Sequence, residues 1–194
     1  MRLFVGIDLE EVLREKIATY VQGVQGFAPE ARWVSPQSLH LTLKFIGDQT
    51  EQETDRIGAA LASIQATRFT LRFRGYGFFP NPKLARVFWL AIEAPAELAN
   101  LAEKVDASLV TLGLPGEEHA YSPHLTLARS GSGAPRVPRE PAATPKFQRL
   151  QEKLAALPLP DFGTMTARQF FLYQSKLSPE GSHYTKLAGF QLGE

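Results

Sequence analysis

Ser38-Leu39-His40-Leu41-Thr42-Leu43 returns 84 positions later as Ser122-Pro123-His124-Leu125-Thr126-Leu127. The chain has four histidines, and two of them hold the same slot of this phrase. The alternation predicts a strand in each copy, because residues i and i+2 of a strand share a face. His40 and Thr42 then stand side by side, as do His124 and Thr126. Leu41, Leu43, Leu125 and Leu127 turn the other way. Two such strands facing one cleft would make a site of two imidazoles and two hydroxyls.

The repetition reaches beyond the phrase. Phe4-Val5-Gly6-Ile7 and Phe88-Trp89-Leu90-Ala91 are also 84 positions apart. Each is an apolar strand followed by a helix and then a motif strand. Residues 1–194 therefore read as a single bilobal domain of two βαβ-like halves, roughly 1–84 and 85–194. A pseudo-twofold axis would set the motif strands across a central groove.

The remaining elements follow from periodicity. Leu3 to Leu9 is a near-continuous apolar run, expected as a central strand. Leu13, Ile17, Tyr20, Val21 and Val24 repeat as in a helix, and Arg32-Trp33-Val34 is short and extended. Thr50 and Glu53 form a capping-box pattern that opens a helix carrying Ile57, Leu61 and Ile64. Phe69, Leu71 and Phe73 alternate with polar residues, as a one-sided strand does. Gly75 to Pro82 reads as a rigid turn, and Arg86 to Glu93 as the next strand. Leu98, Leu101, Val105, Leu109 and Leu112 form a helix stripe, closed by Gly113 at a C-cap position. The Gly- and Pro-rich segment 130–143 reads as a mobile loop. Thr144-Pro145 then starts a short helix with Phe147, Leu150 and Leu154. Thr164 to Ser175 and Tyr184 to Leu192 read as the last two strands.

Composition narrows the functional classes. There is no cysteine, which excludes disulfides and thiolate metal sites. Net charge is +1, so any attraction to RNA must be local. No apolar run has the length of a membrane span, and the N-terminal run is too short and too soon acidic for a signal peptide. A cytoplasmic protein without membrane contact is expected. No long heptad pattern is present, and a monomer is expected.

Two histidines and two threonines suit one chemistry well. Imidazole titrates near neutral pH, so one ring can take a proton from water while the other gives one to a leaving alkoxide. Thr42 and Thr126 can hydrogen-bond the non-bridging oxygens of a phosphodiester and orient phosphorus for in-line attack. A strained five-membered cyclic phosphate fits this arrangement. A serine-hydrolase triad does not, because no G-x-S-x-G is present. A zinc site would need a third ligand, and neither H-E-x-x-H nor a P-loop occurs.

Paired H-x-T-x motifs, one per lobe, resemble the signature of the 2H phosphoesterase superfamily. More narrowly, the chain is similar to the RNA 2′,3′-cyclic phosphodiesterases, also known as 2′-5′ RNA ligases. Arg2 to Asp8, Arg32-Trp33-Val34 leading to Leu39 through Gly47, Gly77 to Pro80, Ser122 to Arg129, and Ser175 to Gly181 with Tyr184 carry the likeness. The long loop after Arg129 is its main departure. The resemblance implies an α+β fold of two pseudo-symmetric lobes around a central cleft, each an antiparallel sheet with helices on its outer face. It implies an enzyme that uses no metal, ATP or other cofactor and opens a terminal 2′,3′-cyclic phosphate on RNA to a 2′-phosphate. RNA ends, tRNA halves among them, are the implied partners. His40 is implied as the proton donor to the leaving 3′ oxygen and His124 as the acceptor from water. Joining RNA ends through a 2′-5′ bond is the alternative activity; a non-catalytic RNA-end binding module is the alternative outside enzymes.

Beyond the four motif residues, Arg129 is a candidate phosphate contact. It lies at an odd offset from His124, so only a bulge or the strand end would turn it toward the site. Arg136, Arg139, Lys146 and Arg149 follow as a local basic segment. Tyr173 and Phe45 are candidates to stack on a base, although strand aromatics mostly face a core. His119, in a loop, and His183, in a turn, are expected to be solvated.

Overall fold

The computed structural model describes residues 1–131, 146–179 and 181–194. Arg136, Arg139, the Thr144-Pro145 helix start and most of the expected 130–143 loop lie outside the described residues. The described strands are β1 (Arg2–Asp8), β2 (Arg32–Trp33), β3 (His40–Asp48), β4 (Phe69–Phe79), β5 (Val87–Glu93), β6 (His124–Arg129), β7 (Asp161–Ala167), β8 (Gln169–Ser178) and β9 (Gly181–Gln191). The described α-helices are α1 (Glu11–Val24), α2 (Glu51–Ala62), α3 (Ala96–Val110) and α4 (Gln148–Ala155). None of them is long and apolar enough to cross a membrane.

The strands form two antiparallel sheets, ordered β3-β1-β8-β9 and β2-β6-β5-β4-β7. The repeat survives as two equivalent pairs, β1 with β3 and β5 with β6. Each pair is antiparallel, so the βαβ-like order builds no parallel crossover. The sheets also do not divide at residue 84. β2 and β4 come from the first half of the chain yet complete the second sheet, and β8 and β9 make the reverse exchange. β1 lies between β3 and β8, and both of its faces are covered: Leu3, Val5 and Ile7 enter the main core, and Phe4 packs on the other side with Phe171, Tyr173 and Tyr184.

The helices cover the outer faces with the stripes read from sequence. Leu13, Ile17, Val21 and Val24 of α1 are buried, as are Leu98, Leu101, Val105 and Leu109 of α3. Thr50 accepts from the Glu53 amide while the Glu53 carboxylate accepts from the Thr50 amide, a complete capping box at α2. Ile64 falls just beyond the end of α2, half-buried against the same core.

Two strand expectations are corrected. Gly75 to Phe79 is no turn but the second part of β4. The register shifts between Phe73 and Tyr76, and Gly75 takes φ +87° at that irregularity. A glycine accepts that conformation at no steric cost, so the strand bends and continues. The single strand expected over Thr164 to Ser175 is two strands in different sheets. β7 pairs with β4, β8 pairs with β1, and the chain changes sheets at Arg168. No glycine or proline marks that switch; the Arg168 carbonyl is occupied by the Leu192 amide at 2.8 Å. His183, expected in a turn, belongs to β9 opposite Lys176.

Candidate active site

Both motif strands carry a bulge at the same place. On β3, Val5 pairs with Lys44 and Gly6 with Thr42, which leaves Leu43 unopposed. On β6, Phe88 pairs with Ala128 and Trp89 with Thr126, which leaves Leu127 unopposed. Two consecutive buried residues follow each H-x-T: Leu43 with Lys44, and Leu127 with Ala128. The extra residue reverses the alternation beyond it. Phe45 and Arg129, equivalent by the repeat, therefore return to the face that carries the histidines.

That face lines a cleft of about 860 Å³ between the sheets, and His40, Thr42, His124, Thr126 and Arg129 all open into it. The Nδ1 of His40 lies 2.8 Å from the Ser38 carbonyl, and the Nδ1 of His124 lies 2.8 Å from the Ser122 carbonyl. A carbonyl only accepts, so each Nδ1 carries the hydrogen and each Nε2 is left for chemistry. The serines of the repeated phrase act here through their backbone, a role that the side-chain pattern does not advertise. The His40 Nε2 also lies 3.0 Å from Thr42 Oγ1.

The two rings sit in different surroundings. His40 packs against Phe4 at 4.6 Å between centroids and meets the edge of Tyr184 at 4.9 Å. Burial holds its pKa below the usual imidazole value. The Ser38 carbonyl and Asp8 push it back up, while Arg129 and Arg14 add to the lowering. His124 meets Phe79 edge-on at 4.9 Å and lies 6.1 Å from Trp89. Gly6 lies beside His40: a Cβ there would come within 2.9 Å of the Leu41 carbonyl and 3.6 Å of the His40 ring.

Both repeats of this architecture match the description LigT-like phosphoesterase, over residues 7–89 and again over 90–184. The chain belongs to the LigT-like phosphoesterase family. It is similar to an RNA 2′,3′-cyclic phosphodiesterase of Archaeoglobus fulgidus, 33% identical over 98% of this chain and 100% of the relative. One from Thermus thermophilus is 35% identical over 99% of this chain and 90% of its own. Among solved structures, E. coli LigT complexed with 3′-AMP superposes with a TM-score of 0.77 at 27% identity, covering 100% of this chain and 98% of that one.

In this LigT-like protein two buried cations support the motifs. Arg14, only 8% exposed, donates to the carbonyls of Pro36 and Leu39 and to Asp8, which also pairs Lys186. It thus fastens the turn that leads into His40. Lys44, 4% exposed, donates to Asp106 at 2.6 Å, to the Pro115 carbonyl at 3.0 Å and to Glu117 at 3.3 Å. Tyr121 donates to the Thr42 carbonyl at 2.8 Å, and burial pushes its phenol well above the ordinary pKa, so it stays a donor. The segment entering the second motif is therefore pinned to the strand of the first. Sequence reasoning missed both cations; the signal for Lys44 was a lone charge inside the run Leu41 to Ile46.

The other candidates divide. Phe45 is 63% exposed at the cleft, free to stack, whereas Tyr173 is 4% exposed beneath Phe4 and belongs to the packing. Tyr184, beside His40, was not singled out as a site residue. His119 is exposed as expected but stands on the cleft wall with Glu103, Asp106 and Glu117. His183 is exposed on β9. Lys146 and Arg149 are not among the cleft residues; Arg149 lies over the Phe27 ring. Among the described residues no three His, Asp or Glu side chains gather as metal ligands.

Proposed function

We propose that the protein opens terminal 2′,3′-cyclic phosphates of RNA to 2′-phosphates by two-histidine acid–base catalysis. The observation that carries this reading is the convergence in one cleft of two Nδ1-anchored imidazoles, two threonine hydroxyls and Arg129. The activity named for the relatives from Archaeoglobus and Thermus supports the substrate, and the 3′-AMP complex of E. coli LigT supports a nucleotide as ligand.

The steps balance without a metal. Water attacks phosphorus as the neutral His124 Nε2 takes its proton. The bond from phosphorus to the 3′ oxygen breaks, and protonated His40 gives its Nε2 proton to that oxygen. The products are a 2′-phosphate and a 3′-hydroxyl, with the ring charges exchanged until solvent resets them. Each proton transfer is worth about 10²–10⁴-fold. Thr42, Thr126 and Arg129 would hold the non-bridging oxygens, where removal of one such donor costs about 10²–10³-fold. A 5′-hydroxyl in place of water would join two RNA ends by the same chemistry.

His40→Ala and His124→Ala are expected to abolish opening of a cyclic-phosphate oligonucleotide with the fold intact; full turnover in both overturns the proposal. Binding without any product in the wild type would make the chain an RNA-end binding module. Adding a 5′-hydroxyl RNA separates hydrolysis from joining. The lowered pKa of His40 favours a second reading in which the two roles are reversed. A substrate with sulfur at the 3′ position decides, because a thiolate leaves without a proton. That substrate should restore His40→Ala alone; restoration of His124→Ala alone establishes the reversed roles.

A further inference from the structure

β2 is two residues long, yet it is held firmly. The Trp33 indole donates to the Ala28 carbonyl at 3.0 Å and meets the Phe88 ring edge-on at 5.9 Å. The Val34 amide donates to the Leu127 carbonyl at 2.8 Å. Trp33 thus faces the core, opposite Ala128, and Arg32 must face the other way.

The other way is the side of the cleft. Arg32 pairs directly with Arg129 across β2 and β6. Directly opposed residues share a face, with Cβ atoms about 5 Å apart. Val87 lies opposite Arg129 on the next strand, and Phe79 opposite Val87 on the one after. Arg129 and Phe79 line the cleft, as does Val34 two residues beyond Arg32, so the row Arg32, Arg129, Val87, Phe79 runs along its rim, and Arg32, on the edge strand, stands just outside the lining residues. Both arginines are exposed, and among the described residues neither pairs with a carboxylate. Two like charges directly opposed on neighbouring strands are unfavourable unless an anion sits between or over them.

We infer that Arg32 is a second phosphate-binding residue, which grips the phosphodiester next to the terminal cyclic phosphate and so selects RNA chains over cyclic mononucleotides. The inference rests on the proposed function, because the terminal phosphate must occupy the cleft for its neighbour to reach the rim. A mononucleotide has no second phosphate and gains nothing from Arg32. A dinucleotide does, through a charge-assisted contact.

The test compares two substrates: the dinucleotide ApA ending in a 2′,3′-cyclic phosphate, and adenosine 2′,3′-cyclic monophosphate. In Arg32→Ala the ratio of their kcat/KM values is expected to fall about tenfold. The slope of log kcat/KM against log salt for the dinucleotide should become shallower by about 0.7, as for one lost phosphate contact on a single strand. Arg32→Lys should recover most of the ratio, and Arg56→Ala, on the exposed face of α2, should leave it unchanged. An unchanged ratio in Arg32→Ala overturns the inference, whether both rates hold or both fall together; in the latter case Arg32 shares the terminal phosphate with Arg129. A wild-type protein that opens neither substrate overturns the proposed function itself, and this assignment with it.

Discussion

The Lys44 cluster makes an asymmetric prediction about stability. Lys44 is 4% exposed, whereas its partners Asp106 and Glu117 are 25% and 54% exposed. In Asp106→Asn the ammonium stays in its dry site with Glu117 and the Pro115 carbonyl as remaining partners. Breaking a buried pair costs about 3–5 kcal/mol, and the surviving Glu117 contact places this case near 3. In Lys44→Met the charge leaves the dry site, the methylene volume is kept, and the two carboxylates turn to water. That variant should cost about 1–2 kcal/mol. The double variant Lys44→Met/Asp106→Leu should lie close to Lys44→Met, since an apolar pair of similar volume replaces an ion pair at little cost. Urea unfolding followed by fluorescence and circular dichroism together measures all three. A larger loss for Lys44→Met than for Asp106→Asn, or a double variant much less stable than Lys44→Met, would refute the reasoning.

Three further outcomes are expected. His40 protonates less readily folded than unfolded, so the folded state is disfavoured as pH drops below about 6.5, where the unfolded ring takes up its proton; urea midpoints at pH 7.5 and 5.5 should show this loss in the wild type and less of it in His40→Gln. Phe45→Ala should weaken binding of a 2′-phosphate dinucleotide by about 1–3 kcal/mol, one stacked base, without lowering the melting temperature, as fluorescence titration and a thermal scan would register. Gly6→Ala drives a Cβ to 2.9 Å from the Leu41 carbonyl beside His40 and should cost about 1–3 kcal/mol along with turnover; wild-type stability in that variant would mean that β1 and β3 part to admit a methyl group without cost.

Local signals in the chain were strong where a residue's neighbours in sequence decide its state. The Leu98 to Leu109 stripe, the Thr50 and Glu53 cap and the two motif strands all lie where periodicity puts them. Partner choice was not local. The alternation of Phe69, Leu71 and Phe73 declares a strand, but nothing in it tells β4 to join β5 and β7 rather than β1. The crossing at Arg168 is hidden because buried residues stand on both sides of it, Met165 and Ala167 before and Phe170 to Tyr173 after, with no glycine or proline between. Arg129 could be placed only with the bulge at Leu127, and the matching bulge was masked by Lys44, a charge buried by partners more than 60 positions away. Tyr184 reaches His40 from the far end of the first sheet's hairpin, beyond any pattern a window of residues contains.

The exchange of strands between the two halves has a consequence for how the protein comes into being. β1 must wait for β8 before its second edge is covered, and the wall that carries His40 is finished only when residues 169–191 have arrived. Such distant pairings are slow to form, because the long intervening chain must first be closed. A ribosome-bound fragment ending near residue 130 would hold both H-x-T phrases and still lack half of the first sheet. The duplication that supplied two histidines has thus been sewn into a unit that neither copy can assemble alone, and RNA would meet a working cleft only on the completed fold.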